Sequence, residues 1–477
     1  MKQLLNRHIM DNADGLSIPR LWGNLLQPKE DDPFTPHEPP FIWYAMGDSY
    51  TAGPGAGELW DPGADKKCVR SAGSYAPQLE SDWLYNGEEK MNFIACTGAR
   101  TYNVIEDQLQ KIDSDPAPDL VVMTIGGNDV GFSKIAKACL IGLWGSGDCD
   151  EKIAEAMSIV QSAEFYNRLS KVYDGIFDQM PNDGHYQVLH LGYSRFFNVD
   201  DESTWCNGQT FGKFGLGSRP KLTLELRKKL NNLTKFLNTH LFIWSIKYAS
   251  DRLHDKRDPW EVQRLFFGDY DAFDEYSFSG HRFCEVGVED PKFGDPETWI
   301  FGVWGDQNDA EVSADYFAEL DAGSCGSDAR YESDDAFAWD CDMAVHYADD
   351  TTDRNVTTIP GFDFTRPFHP KTRGFEKVKD FIVYQMHKRR RSSHIKCIPF
   401  PENEEALQLL AGKDITLCPP EQSSPPPTET TTSDTSPSTT TSHPPTGTCK
   451  SMCHCDESKC SDDSPGCCPN GTCDDGC

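Results

Sequence analysis

Two apolar runs, each stopping at a glycine-led turn, constrain this chain more than any other feature. Phe41-Ile42-Trp43-Tyr44-Ala45-Met46 leads straight into Gly47-Asp48-Ser49-Tyr50-Thr51-Ala52-Gly53. Pro118-Asp119-Leu120-Val121-Val122-Met123-Thr124-Ile125 leads into Gly126-Gly127-Asn128-Asp129. An apolar run bounded by a tight turn reads as a buried parallel strand. Further strands are expected at 91–95, 186–192 and 263–268, beside 41–46 and 119–125. Helices are expected at 101–112, 150–180, 219–249 and 372–387. Such alternation indicates a parallel sheet covered on both faces. In open sheets of this kind the chemistry sits at the carboxyl ends of the strands. Ser49 and Asn128 each stand just past such an end. Gly-Asp-Ser alone is a common turn tripeptide, so neither turn is decisive by itself.

A third element changes the weight of the first two. Phe368-His369-Pro370 precedes the helical pattern at 372–387. A serine, an asparagine and a histidine thus follow one another along the chain, each beside an element terminus. With these blocks in this order the chain resembles the SGNH hydrolases, the GDSL-type esterases and lipases. Gly47-Asp48-Ser49 matches the family's first block, and Ala95-Cys96-Thr97-Gly98-Ala99 resembles the second. Gly126-Gly127-Asn128-Asp129 matches the third and His369-Pro370 the fifth. The nearest branch is that of secreted actinomycete-like esterases and lipases, and the resemblance covers roughly residues 41–387. It implies a three-layer α/β/α fold with a mostly parallel central sheet, SGNH or flavodoxin-like, carrying long loop insertions.

Ester hydrolysis by a serine needs a nucleophile, a base and donors for the oxyanion. The resemblance gives Ser49 as nucleophile and His369 as base. It gives the backbone N–H groups of Ser49 and Gly98 and the side-chain amide of Asn128 as oxyanion donors. A residue without a Cβ at 98 suits close approach of its N–H to a substrate. The plainer readings are a turn-capping Asn128 and a surface His369 ahead of a helix. Asp48 and Asp129 are expected to brace the two turns. One position departs from the family pattern: Arg366 stands where an aspartate is usual, three residues before His369. The nearest upstream acid is Asp363. Orienting the imidazole needs only an acceptor for its Nδ1 proton, which a carbonyl supplies. Some members of the branch the chain resembles work as a Ser–His dyad with a backbone carbonyl at this position, so the resemblance favours the Arg366 carbonyl over the Asp363 carboxylate.

Composition bounds the rest. The 477 residues hold one large domain and appendages, and a formal net charge of −31 argues against nucleic acid and anionic membrane surfaces. Residues 306–353 hold fifteen Asp or Glu and one Arg, and read as a solvated acidic insertion rather than a calcium loop. No metal site or cofactor is expected. The expected partner is an ester substrate, and a monomer is expected. No run approaches the ~20 apolar residues of a membrane span.

Eighteen cysteines divide into ten in the body and eight in the last 29 residues. Read in chain order, the ten suggest local pairs Cys68–Cys96, Cys139–Cys149, Cys206–Cys284, Cys325–Cys341 and Cys397–Cys418. The first three agree with what the resemblance implies; the last two rest on adjacency. Such usage points outside the cell, although Met1 opens no credible signal peptide. Sequons at Asn232, Asn355 and Asn470 are compatible with secretion.

The domain reading is a lead at 1–40, a catalytic domain at 41–387, a stapled extension at 388–418, a linker at 419–448 and a Cys-rich module at 449–477. The linker holds 24 Ser, Thr or Pro in 30 residues and reads as an extended stalk. The module has too little apolar content to fold without staples, and disulfides are favoured over a metal cluster. An enzyme, a stalk and a small module suggest attachment to an insoluble polymer. Two function classes are carried: a secreted serine ester hydrolase, with polysaccharide acetyl esterase as its variant, and an inactive matrix-binding protein on the same scaffold.

Overall fold

In a computed structural model the described residues are 41–60, 68–82, 89–143, 145–180, 186–212, 218–254, 264–287, 297–303, 327, 341–342 and 366–390. The lead, the linker, the Cys-rich module and the stapled extension beyond residue 390 fall outside them.

Five parallel strands form one sheet: β1 (Phe41–Gly47), β2 (Glu89–Phe93), β3 (Leu120–Thr124), β4 (Gln187–Leu191) and β5 (Leu265–Gly268), in the order β2-β1-β3-β4-β5. Every residue of β1 and β3 is buried, so helices must cover both faces. That is why both strands are unbroken apolar runs instead of alternating ones. The strand order reverses after β2. Right-handed crossovers therefore send the β1–β2 connection to one face and the later connections to the other. The first face carries α2 (Tyr75–Asp82), which packs against the last helix, α8 (Thr372–Arg390). The second carries the helical run Thr101–Asn103 (α3), Val104–Gln108 and Leu109–Lys111. It also carries α4 (Phe132–Ala136, continued by a wider turn through Lys137–Ile141), α5 (Cys149–Val160), α6 (Ala163–Phe177) and α7 (Leu224–His254).

The stretch 150–180, expected as one helix, is two. Ser162 breaks it: its Oγ accepts the N–H of Phe165 at 3.1 Å and caps the start of α6. The aromatic residues of 270–303 cover the last helix. Phe273 and Tyr276 pack against Phe381 and Tyr384 of α8 with tilted or edge-on rings, and Phe278 lies edge-on to Trp299. Trp304 and Phe317 lie outside the described residues. Cys68–Cys96, Cys139–Cys149 and Cys206–Cys284 are bonded. Cys341 is disulfide-bonded too, whereas Cys325, Cys397 and Cys418 lie outside the described residues. Among the described residues no helix is long and apolar enough to cross a membrane.

Candidate active site

The site grows from the carboxyl ends of β1 and β3. Gly47 closes β1 at φ +104°, and a Cβ there would sit 1.9 Å from the carbonyl oxygen of Thr124. Only glycine lets the two strand ends approach this closely. The Gln108 side chain pins the same residue, accepting from the Gly47 N–H at 2.7 Å and donating to its carbonyl at 2.8 Å. Asp48 then caps the one-turn helix α1 (Ser49–Ala52). Its Oδ1 accepts from the Tyr50 N–H at 3.0 Å and the Thr124 hydroxyl at 2.7 Å, and its Oδ2 accepts from the Tyr193 hydroxyl. Burial pushes the Asp48 carboxyl up to about 7, against those hydrogen bonds. Gly53, left-handed at φ +76°, ends the turn by donating to the Ser49 carbonyl.

This turn leaves Ser49 facing a cleft. Its hydroxyl lies 2.6 Å from His369 Nε2, across 320 positions of sequence. His369 Nδ1 lies 3.2 Å from the Arg366 carbonyl oxygen. That oxygen also accepts the His369 N–H at 3.0 Å. Asp363 lies outside the described residues. The Arg366 side chain is buried and lies over the Phe301 ring.

Gly98 lies in a loop tied down at several points. Cys96 N–H donates to the Gly47 carbonyl, Thr97 N–H to the Cys68 carbonyl, and the Cys68–Cys96 bond holds the two chains together. Gly98 itself is left-handed, φ +81°. Among the described residues, neither the Gly98 nor the Ser49 backbone N–H has an acceptor. Asn128 donates one amide hydrogen to the Ala99 carbonyl at 3.0 Å, which fixes the amide plane and leaves its second hydrogen for the cleft. Asp129 braces the neighbouring turn, accepting from the Thr101 N–H at 2.9 Å and the Thr101 hydroxyl at 2.6 Å. Burial raises its carboxyl.

Ser49, Gly98, Asn128 and His369 therefore line one cleft of about 1140 Å³, part of it open to solvent. Away from them the wall is apolar. Ile135 and Leu140 come from α4 and its continuation, Val160 from α5, and Leu230, Leu233 and Leu237 from α7. The three leucines lie along one face of α7 over about 10 Å. This apolar arm was not legible in the sequence, because four separate elements build it.

Two residues that sequence reasoning passed over tie the site together. Tyr50 donates its hydroxyl to the Phe368 carbonyl at 2.8 Å, directly beside His369. Tyr193 bridges Asp48 and the Gly127 N–H. The available signal was position alone: Tyr193 follows β4 as Ser49 follows β1.

Residues 45–189 match the GDSL-like Lipase/Acylhydrolase family. A lipase of Streptomyces rimosus is 39% identical over 158 residues, 33% of this chain and 54% of the relative. Lipase 1 of Streptomyces coelicolor is 35% identical over 200 residues, 42% of this chain and 63% of the relative. The chain thus spans between half and two thirds of the length of these curated relatives. Among solved structures, the extracellular lipase of Streptomyces rimosus superimposes with a TM-score of 0.43 at 24% identity, over 72% of this chain and 98% of that one. The family match runs through β1, β3 and both glycine turns, and over that stretch the chain is similar to the GDSL-like lipases and acylhydrolases, the Streptomyces lipases among them.

Proposed function

We propose that this protein is a secreted serine ester hydrolase that cleaves carboxylic esters through an acyl-serine intermediate, using a Ser–His dyad oriented by a backbone carbonyl. The observation that carries this reading is the 2.6 Å contact between Ser49 Oγ and His369 Nε2, made at the mouth of a cleft that also holds Gly98 and Asn128. His369 Nε2 takes the Ser49 proton as Oγ attacks the ester carbonyl carbon. The carbonyl oxygen gains the negative charge and accepts from the N–H groups of Ser49 and Gly98 and the amide of Asn128. The imidazolium returns the proton to the departing alcohol as the C–O bond breaks. Water, deprotonated by the same nitrogen, then releases the acid and restores Ser49. The imidazole needs its Nδ1 proton held in place throughout, and the Arg366 carbonyl supplies that acceptor.

The apolar arm supports an acyl chain of several methylenes over acetate. Each buried CH₂ is worth about 0.8 kcal/mol, so a leucine-lined arm rewards chain length. The relatives named as lipases fit that substrate class. Disulfide-bonded cysteines support an extracellular setting. The Ser/Thr/Pro-rich stretch and the Cys-rich module, as sequence features, support attachment to an insoluble polymer.

A panel of p-nitrophenyl esters from acetate to palmitate tests the proposal on the full chain. Turnover that rises beyond acetate and vanishes in Ser49→Ala is expected. A preference for acetate, falling steadily with length, would turn the reading to an acetyl esterase. No turnover along the whole panel would favour an inactive binding protein.

A further inference from the structure

The two turns that carry the oxyanion donors are not joined by strand pairing beyond Gly47 and Thr124, where the β1–β3 register ends. Past that point Thr124 still holds Asp48 through its carbonyl and hydroxyl, and the Tyr193 side chain reaches from Asp48 to Gly127. The Tyr193 hydroxyl accepts the Gly127 N–H at 2.9 Å and donates to Asp48 Oδ2. Gly127 immediately precedes Asn128, and Asp48 immediately precedes Ser49. One hydroxyl therefore fixes the residue before each donor.

Tyr193 is itself firmly held. Asn238 of α7 clamps its backbone, accepting from the Tyr193 N–H at 2.9 Å and donating to the Tyr193 carbonyl at 2.9 Å. The Tyr193 ring is buried, and Tyr50 lies edge-on to it with centroids 5.0 Å apart. A Cβ at Gly127 would stand 3.1 Å from Tyr193 Cζ, so the turn lies tight against the hydroxyl end of that ring. Neither donor touches Tyr193 through a hydrogen bond of its own. Its effect must pass through the backbone.

We infer that Tyr193 is a positioning residue for the reaction: it sets the distance between the Ser49 turn and the Asn128 turn, so that the three donors converge on one oxygen. The inference rests on the ester-hydrolase reading. Oxyanion donors work only when aimed where the charge develops, and a displacement of about 1 Å costs roughly a hundredfold. Removing the hydroxyl leaves the Gly127 N–H without its acceptor and Asp48 Oδ2 without its donor, while Oδ1 keeps Tyr50 and Thr124. Asp48 stays tied to Thr124, but the Gly127–Asn128 peptide is no longer held against the Ser49 turn.

A double-mutant cycle on the full chain tests this, with the best p-nitrophenyl ester of the panel as substrate. Tyr193→Phe should lower kcat roughly ten- to hundredfold with KM within about threefold of wild type. In an Asn128→Ala background the same substitution should cost under about threefold, because the donor it serves is already gone. Equal losses in both backgrounds, or a loss confined to KM, would overturn the assignment. Should Tyr193→Phe not fold, Asp48→Asn provides the second cycle. It keeps the Oδ1 acceptor for Tyr50 and Thr124 but sets an N–H donor against the Tyr193 hydroxyl, which already accepts from Gly127. The same non-additivity with Asn128→Ala is expected, and additivity there would overturn the inference equally. If wild type itself shows no turnover that depends on Ser49, the ester-hydrolase reading falls and takes the inference with it. If Ser49-dependent turnover is present and the cycle is additive, only the inference falls.

Discussion

The Ser49 turn and the His369 loop reach the same cleft by different means. Ser49 is placed by local chain geometry: a buried strand, a glycine no other residue could replace, an aspartate cap and a glycine stop, all within Phe41–Gly53. His369 follows no strand of the sheet. Its neighbour Phe368 is a non-glycine residue at φ +66°, a left-handed conformation that costs of order 1–3 kcal/mol unless its surroundings impose it. Here they do. Phe301 N–H donates to the His369 carbonyl and Phe368 N–H to the Phe301 carbonyl, while Tyr50 holds the Phe368 carbonyl. The Phe368 ring is fully buried among Phe132, Phe196, Phe211 and Phe283. One half of the proposed catalytic pair is thus encoded locally, and the other by tertiary contacts gathered from across the chain. Lesions at the two should differ in kind: chemistry lost with the fold intact, against fold and chemistry lost together.

The largest effect is expected at the locally encoded half. Ser49→Ala should cut turnover about 10⁴-fold or more with an unchanged unfolding midpoint, read by steady-state kinetics beside thermal denaturation. Near-wild-type rates would remove the nucleophile assignment. Asn128→Ala should cost roughly 10²–10³ in kcat, the loss of one oxyanion donor. A change in KM alone would make it a binding residue instead. At the histidine loop, Phe368→Ala should destabilise the protein by about 3–5 kcal/mol, as buried aromatic truncations do, and lower kcat in the folded fraction. Full stability in that variant would show that the aromatic cluster does not hold the loop.

The orienting group gives the sharper contrast. Arg366→Ala keeps the carbonyl, so kcat should stay within several-fold while stability falls through the lost contact with Phe301. Asp363→Asn should also keep most activity. A fall of about 10⁴ there would instead mean that a carboxylate orients the imidazole.

The smallest effect concerns pH. Burial, reinforced by the charge of Asp271, raises the Asp269 carboxyl from 3.8 to about 7. The folded state keeps this proton longer than the unfolded chain does. The contribution to stability is therefore full below about pH 4 and lost as pH rises through about 7. Relative to Asp269→Asn, the wild type should lose stability across that window in urea titrations. Parallel curves would contradict the shifted carboxyl.

Much of the locally built half could be read in the sequence, and the reason is physical. β1 and β3 are buried on both faces, so they appear as unbroken apolar runs, and their turns carry glycines that geometry requires. The helices at 101–112, 219–249 and 372–387 were legible from their patterns, with ends a few residues off. The break at Ser162 was missed although a capping serine stood in plain view. The short helices Tyr75–Asp82 and Phe132–Ala136 were missed because two turns or fewer carry little periodicity. The apolar arm, the Tyr193 bridge and the Tyr50 contact were out of reach, since each depends on which elements meet across β3, β4 and α7. The aromatic residues of 270–360 read equally as walling a substrate cleft or covering the sheet edge, and pattern cannot choose between partners. Phe273 and Tyr276 instead cover α8.

The central claim is that Ser49 attacks as a nucleophile activated by His369. Mass spectrometry after treatment with an alkyl fluorophosphonate tests it most directly. Such a reagent is captured only by a serine that is deprotonated in place beside oxyanion donors. One phosphonyl adduct on the Ser49 peptide is expected in wild type, none in Ser49→Ala, and labelling slowed by orders of magnitude in His369→Ala. An adduct on another residue, or undiminished labelling in either variant, would contradict the account.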